Sequence, residues 1–241
     1  GELIVFAAGD DKSSPQRCSV LVTLWEQAGR PSGSLHSAVR VIGECGRVLA
    51  NISHGRKSFD GLSLSQFVKT GGKGVLGASH AITRDLYERF GPLDSSTVFE
   101  DRVLAFRSFV SGRILYSNEA LVDYRVHEAS LTSRRNYSDA ARWNRWIEGT
   151  LNVLDQFERD YKRTFPDRPD PSVLGAMQRE RLATRRSRGI LGASSASRAW
   201  AAWHYGRDMP LRGRVGFALE CAGWIDSRPI RLIRKLLRNV R

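Results

Sequence analysis

Three places in this 241-residue chain bring together side chains that can hold a cation or move a proton: Asp10-Asp11, Glu100-Asp101 and His127. Two carboxylates and an imidazole can hold a divalent cation bound to a diphosphate, and carboxylate oxygens suit Mg²⁺ or Mn²⁺. A further carboxylate can serve as a general base toward a hydroxyl group. Spacing alone leaves plainer readings open. Asp-Asp in a loop is also a turn signal. Glu-Asp at a helix start also caps the helix and complements its dipole, and a lone His after a strand is commonly structural.

The chemistry requires elements that carry these residues to one place. Residues 2–8, ELIVFAA, form a compact apolar run of the length and composition of a buried strand, ending at Gly9-Asp10-Asp11. Ser14-Pro15 reads as a helix start, with Val20, Leu21, Leu24 and Trp25 as its apolar stripe and Gly29 as its end. Residues 35–42 and 47–49, with Gly43 and Gly46 between, read as a hairpin. Residues 53–59 read as a surface loop, and 63–68 as a short helix. The stretch 71–80 is a glycine-rich loop running into a brief strand, and it matches neither GxxxxGK[ST] nor GxGxxG. Residues 83–90, opening on Thr83 as N-cap, and 99–110 read as helices, the second with Val103, Leu104, Phe106 and Phe109 or Val110 turned inward. Residues 114–126 read as a strand leading to His127. This order implies an α/β sheet with flanking helices, in which ligands gather at the carboxyl ends of strands.

Charge divides the chain unevenly. Residues 1–133 carry 15 Lys+Arg and 14 Asp+Glu; residues 134–241 carry 23 and 11, so the net charge of +13 lies almost wholly in the second region. That region reads as helices at 140–165, 171–186, 194–205, 215–224 and 230–240, which places a boundary near Ser133 between domains 1–133 and 134–241. With 26% charged residues and 8 prolines the chain is neither disordered nor collagen-like. Three isolated cysteines, Cys18, Cys45 and Cys221, make no CxxC pair, which reads as a reducing, cytoplasmic setting. No apolar run reaches membrane-spanning length.

The stretches GELIVFAAGDDKSSPQR, VLGASHAITRDLYERFGPL and FEDRVLAFRSFVSGRILYSNEALVDYRVHEASLT, taken in that order, resemble a family 2 glycosyltransferase with the GT-A fold, over residues 1–133. The resemblance implies a partial GT-A mixed sheet, followed by a mainly helical region. It implies an inverting transfer of sugar from a nucleotide-sugar donor, by default UDP-linked, to a glycan or lipid-linked glycan hydroxyl. Asp10 falls on the second acidic position of the DxD region as a metal ligand, with Ala8 where the first Asp commonly stands, and Asp11 beside the donor. Glu100-Asp101 looks like the ED motif, with Asp101 as the base and Glu100 in support. Tyr124-Arg125-Val126-His127 looks like the YRxH ending, with Arg125 near the donor and His127 on metal or phosphate. Gly74, Gly77 and Ala78 look like the loop lining donor sugar and acceptor. His80, in the same segment, has no assigned role. The implied cofactor is Mg²⁺ or Mn²⁺.

Residues 230–241 form an amphipathic pattern, with Arg231, Arg234, Lys235, Arg238 and Arg241 on one arc and Ile230, Leu232, Ile233, Leu236, Leu237 and Val240 on the other. This suits either a helix docked on the domain or one lying on an anionic membrane at the inner face of the plasma membrane. The Trp residues of the region read as core or as interfacial anchors. Two rival functions are a non-catalytic scaffold of the same fold and a nucleic-acid-binding module in 134–241. Against nucleic acid, the Arg residues are spread over several helices without an aromatic platform. In the family, a nucleotide-base pocket precedes the acidic strand, whereas Gly1 stands directly before it here. The reading therefore expects a fragment, or a donor-binding half on another polypeptide. Calorimetric titration of residues 1–241 with UDP and Mn²⁺ is expected to show weak binding or none; tight, metal-dependent binding contradicts this.

Overall fold

The computed structural model describes residues 1–52, 58–127 and 140–187, together with Val215. Its elements in chain order are β1 (Leu3–Val5), β2 (Lys12–Ser13), α1 (Arg17–Gln27), β3 (Gly33–Ile42), β4 (Val48–Ile52) and α2 (Leu64–Thr70). There follow β5 (Ala81–Thr83), α3 (Arg84–Phe90), α4 (Glu100–Ser111), β6 (Arg113–Arg125), α5 (Ala140–Thr164) and α6 (Pro171–Ser187). The fold is mixed α/β. The helices expected at 194–205, 215–224 and 230–240, with Trp200, Trp203 and Trp224, lie outside the described residues, Val215 apart.

β3 is buried at every position but Arg40, as expected of a strand covered on both faces. One edge runs parallel to β6, from Gly33 beside Arg113 to Ile42 beside Arg125. The other edge is shared: β5 pairs antiparallel at Ser34 and Leu35, and β4 at Val39–Ile42. β1 continues the sheet beyond β5, and β2 pairs with the far end of β6. The resulting order is β1-β5-β3-β6-β2, with β4 beside β3. The parallel pair begins at Gly33, whose φ is +138° and where a Cβ would lie 1.9 Å from the Arg113 carbonyl oxygen. Only glycine lets the two strands start so close.

Alternation assigns the faces. Leu3, Val5, Leu35, Ala81, Leu115 and Leu121 pack on Leu21 and Trp25 of α1. Ile4, Phe6 and Ile82 turn the other way, onto Leu86 and Phe90 of α3 and Leu104 of α4. A larger core joins α2, α4, α5 and α6 through Phe67, Val103, Phe106, Val153, Phe157, Tyr161 and Met177, with Val75 of the glycine-rich loop. Phe106 stacks on Phe157 with centroids 4.1 Å apart, and Phe67 on Phe109 at 4.4 Å. Residues 149–180 therefore belong with 1–130 in one compact unit. The second unit takes in 131–148 and 181–241. In its described part Trp143 is buried and stacks on Trp146, centroids 5.1 Å apart.

Several expectations need correction. The strand expected over 2–8 covers only Leu3–Val5, half-buried rather than buried, because its partner β5 has three residues; Ala7 and Ala8 are exposed. The helix expected from Ser14-Pro15 starts at Arg17: the Ser14 hydroxyl pairs with Gln16, and the Arg17 amide donates to the Ser14 carbonyl, closing a turn first. Thr83 does not cap α3 with its side chain; its Oγ1 accepts from the Gly33 amide at 3.0 Å and ties β5 to β3. α2 starts with a capping box between Ser63 and Gln66. The helices expected at 99–110, 140–165 and 171–186 and the strand at 114–126 agree with α4, α5, α6 and β6 to within a residue.

A buried ion pair beside the larger core joins Arg107 to Asp160, Nε to Oδ2 at 2.8 Å, with side chains 1% and 5% exposed. Gln156 Nε2 donates to Asp160 Oδ1, and Arg107 Nη1 donates to the Gly91 carbonyl. Removing one member leaves a buried charge uncompensated. Asp160→Ala is expected to lower unfolding free energy by about 3–5 kcal/mol in urea titration. Adding Arg107→Met to it should recover much of that loss; a double variant no more stable than the single one contradicts the pairing.

Candidate active site

The Asp10-Asp11 loop follows β1, and it is fastened to the end of β6. The Arg125 amide donates to Asp11 Oδ1 at 2.7 Å, and Arg125 Nε donates to the Asp10 carbonyl at 2.8 Å. Arg125 Nη1 donates to the carbonyls of Gly43 and Glu44 in the β3–β4 turn. Arg125 thus staples the acidic loop to that turn through main-chain carbonyls. His127 Nε2 lies 3.0 Å from Asp10 Oδ2, and this hydrogen bond holds the Asp10 carboxyl below its ordinary range. Asp11 behaves oppositely: burial pushes its pKa up, against the Arg125 amide bond and the nearby Arg17 charge. Its Oδ2 is buried without a hydrogen-bond partner.

Arg17, at the start of α1, is 2% exposed. It donates from Nη1 to Ser13 Oγ at 3.0 Å and from Nη2 to the His80 carbonyl at 3.4 Å. His80 is fully enclosed, with Nε2 2.8 Å from Ser34 Oγ. Burial, then the neighbouring His36 and Arg17, lowers its pKa to about 3, so it is a neutral structural imidazole.

The second group of site residues forms where the glycine-rich loop meets α4. A 3-10 turn spans Gly77–Ser79, with Ala78 half-buried at its centre. Glu100 and Asp101 occupy the first turn of α4. A Cβ on Gly77 would sit 2.8 Å from Glu100 Oε1, the mobile end of an exposed side chain, and 3.7 Å from Asp101 Oδ2, so the loop lies close against both carboxylates. The Arg102 amide donates to Asp101 Oδ1 at 2.8 Å, and the Gly77 amide also acts on this carboxylate as a donor. Glu100 is exposed and Asp101 half-buried. Burial, then repulsion from Glu100, raises the Asp101 pKa to about 6. Gly74, with φ of +127°, lies in the loop leading to Gly77.

The structure thus gathers the expected residues into two groups. Asp10, Asp11, Arg125 and His127 form one; Gly77, Glu100 and Asp101 form the other. No described contact joins Asp10 to Asp101. Among the described residues no three of His, Cys, Asp and Glu gather as a metal-holding group. Asp10 and His127 offer one oxygen and one nitrogen to a divalent cation. Mg²⁺-type ions are commonly held by one or two carboxylates plus substrate phosphates, so this small donor set fits. A cleft of about 350 Å³ between α1 and β6, lined by residues including Ser19, Thr23, Gln27, Ser117 and Glu119, contains none of these groups. The sequence reading missed Arg17 and Arg102 as buried arginines at the two groups; Arg102, directly after Glu100-Asp101 in the inward stripe of α4, carried the only positional signal. The chain matches no known family model, and no curated protein is similar to it.

The Asp101 shift has a stability consequence. Between about pH 4 and pH 6 the folded chain holds a proton on Asp101 that the unfolded chain has released. Asp101 therefore lowers stability as pH rises through that window, by at most about 3 kcal/mol for a two-unit shift. Asp101→Asn is expected to raise stability at pH 7 by about 1–3 kcal/mol and to change little near pH 3.5. Denaturant midpoints at the two pH values check this; a loss of stability at pH 7 contradicts it.

Proposed function

We propose that this chain belongs to an inverting, family 2-type glycosyltransferase of GT-A fold. It transfers a sugar from a UDP-linked donor to a hydroxyl of a glycan or lipid-linked glycan. The observation that carries the reading is Asp101: a half-buried carboxylate with a pKa near 6, held by main-chain donors and placed against the Gly77 approach. A general base is most effective when its pKa lies close to the working pH, because it is then both ionised and basic.

In this reading the acceptor hydroxyl lies against Gly77 and Ala78, and Asp101 takes its proton. The acceptor oxygen bonds to the anomeric carbon as the bond from that carbon to the diphosphate oxygen breaks. The electron pair leaves with the nucleoside diphosphate, and the anomeric centre inverts. Glu100 is exposed beside Asp101, where it can accept a hydrogen bond from the acceptor and keeps Asp101 basic by repulsion. Asp10 and His127 would hold the cation, with Asp11 Oδ2 turned inward beside them. When bound, the cation neutralises charge developing on the leaving diphosphate. Arg125 keeps the acidic loop in place through its carbonyl contacts. Among the described residues no helix is long and apolar enough to cross a membrane. The proposed cytoplasmic setting rests on the isolated cysteines, and its membrane-peripheral character on the sequence pattern of residues 230–241.

Asp101→Asn is expected to lower sugar transfer by about 10²–10⁴-fold while the circular dichroism spectrum is unchanged. Transfer by the unsubstituted protein should decline as pH falls below about 6, where Asp101 takes up its proton. Undiminished transfer by the variant removes Asp101 from the mechanism.

A further inference from the structure

Arg102 is 6% exposed, yet it is buried among groups of an unusual kind for a cation. Its Nε donates to the Gly71 carbonyl and its Nη1 to Thr150 Oγ1 at 3.2 Å, and its guanidinium carbon lies 5.3 Å from the Phe99 ring centre. The fork therefore spans three segments: the start of the glycine-rich loop, α5, and the residue before α4. Gly71 and Gly72 are moulded to it. A Cβ on Gly71 would come within 2.6 Å of Nη2, and one on Gly72 within 2.7 Å of the Arg102 carbonyl. Asp101 and Glu180 act on the guanidinium through space, and burial lowers its pKa to about 10, so it stays cationic at neutral pH. Burying a charge against a carbonyl, a hydroxyl and a ring is costly, and an apolar side chain would serve packing better. Such departures from packing logic concentrate at functional sites.

We infer that Arg102 is the positioning residue of the Asp101 site: it clamps the Gly71–Gly77 loop against α4 so that the Gly77 amide meets the Asp101 carboxylate, and its charge favours the carboxylate anion. The two actions use different parts of one residue. The backbone amide of Arg102 bonds Asp101 Oδ1 directly, while the side chain fixes the loop and supplies the field. The charged groups facing Asp101 are Glu100 and Arg102. Those facing Arg102 are Asp101 and Glu180 of α6. Of these four only Arg102 is positive, so its charge acts together with the main-chain donors against the repulsion between Glu100 and Asp101. This assignment takes its meaning from Asp101 as the base, but the clamp and the field can be measured without any transfer reaction.

The experiment follows the Asp101 side-chain carboxyl by carbon NMR across pH, in the 241-residue chain, and the exchange of the Gly77 amide with deuterium. Arg102→Met removes the charge and is expected to move the Asp101 midpoint upward by about one pH unit or more. An unchanged midpoint in folded Arg102→Met overturns the inference. If that variant does not fold, Arg102→Lys decides. It keeps the charge but not the planar fork, so the Asp101 midpoint should rise less than the shift expected of Arg102→Met while Gly77 exchange quickens by about tenfold. Gly77 exchange equal to that of the unsubstituted chain overturns the clamp. A midpoint shift in Arg102→Met alongside undiminished transfer in Asp101→Asn would leave the coupling standing and remove the base, so the two ideas fail separately.

Discussion

The Asp101 carboxylate lies partly withdrawn from water beside a second carboxylate, Glu100, and its surroundings are arranged to tolerate that charge. The N-terminal turn of α4 lends it the positive end of the helix dipole. The amides of Gly77 and Arg102 donate toward it, and the Arg102 guanidinium stands behind it. Each of these depends on something farther away. The approach of Gly77 depends on the loop that carries it, and the loop depends on the Arg102 fork. α4 in turn is fixed by Phe106 on Phe157 and by Arg107 on Asp160. A half-buried charge thus ties the glycine-rich loop and α4 to helices α5 and α6, far apart in sequence.

The sheet serves the other group of residues. β3 and β6 run in parallel along their whole common length, so the end of β6 arrives beside the end of β3. Arg125 then reaches both the acidic loop after β1 and the turn after β3. The register shifts between Ser37 and Val39, where β6 carries extra residues, and the pairing resumes at Ala120 and Val122. The offset is absorbed inside the pair, and β2 joins β6 at Val122 and Asp123, just before Arg125. Strand geometry, rather than local loop preference, decides where His127 meets Asp10.

What the sequence made legible were features governed by periodicity. The stripe Leu21, Leu24, Trp25 in α1, the inward positions of α4, and the long helices α5 and α6 all follow from apolar spacing that packing reinforces. The acidic pairs were visible because their residue types are scarce in apolar contexts. What was hidden depended on partners. The extent of β1 is set by the brevity of β5, and Thr83 bonds β3 because Gly33 is opposite, which no local rule states. Where α5 packs was hidden likewise, because Val153, Phe157 and Tyr161 find their partners on elements distant in sequence. Arg17 and Arg102 were overlooked for a related reason: arginine reads as a surface residue until its neighbours are known.

Arg125 grips the β3–β4 turn through the carbonyls of Gly43 and Glu44, not through their side chains. Carbonyl oxygens are the same whichever amino acid bears them. Drift in the identity of those turn residues would leave the grip intact, whereas adding or deleting one residue would carry the carbonyls out of reach. Along an evolving lineage, this bend should be free in spelling but fixed in length.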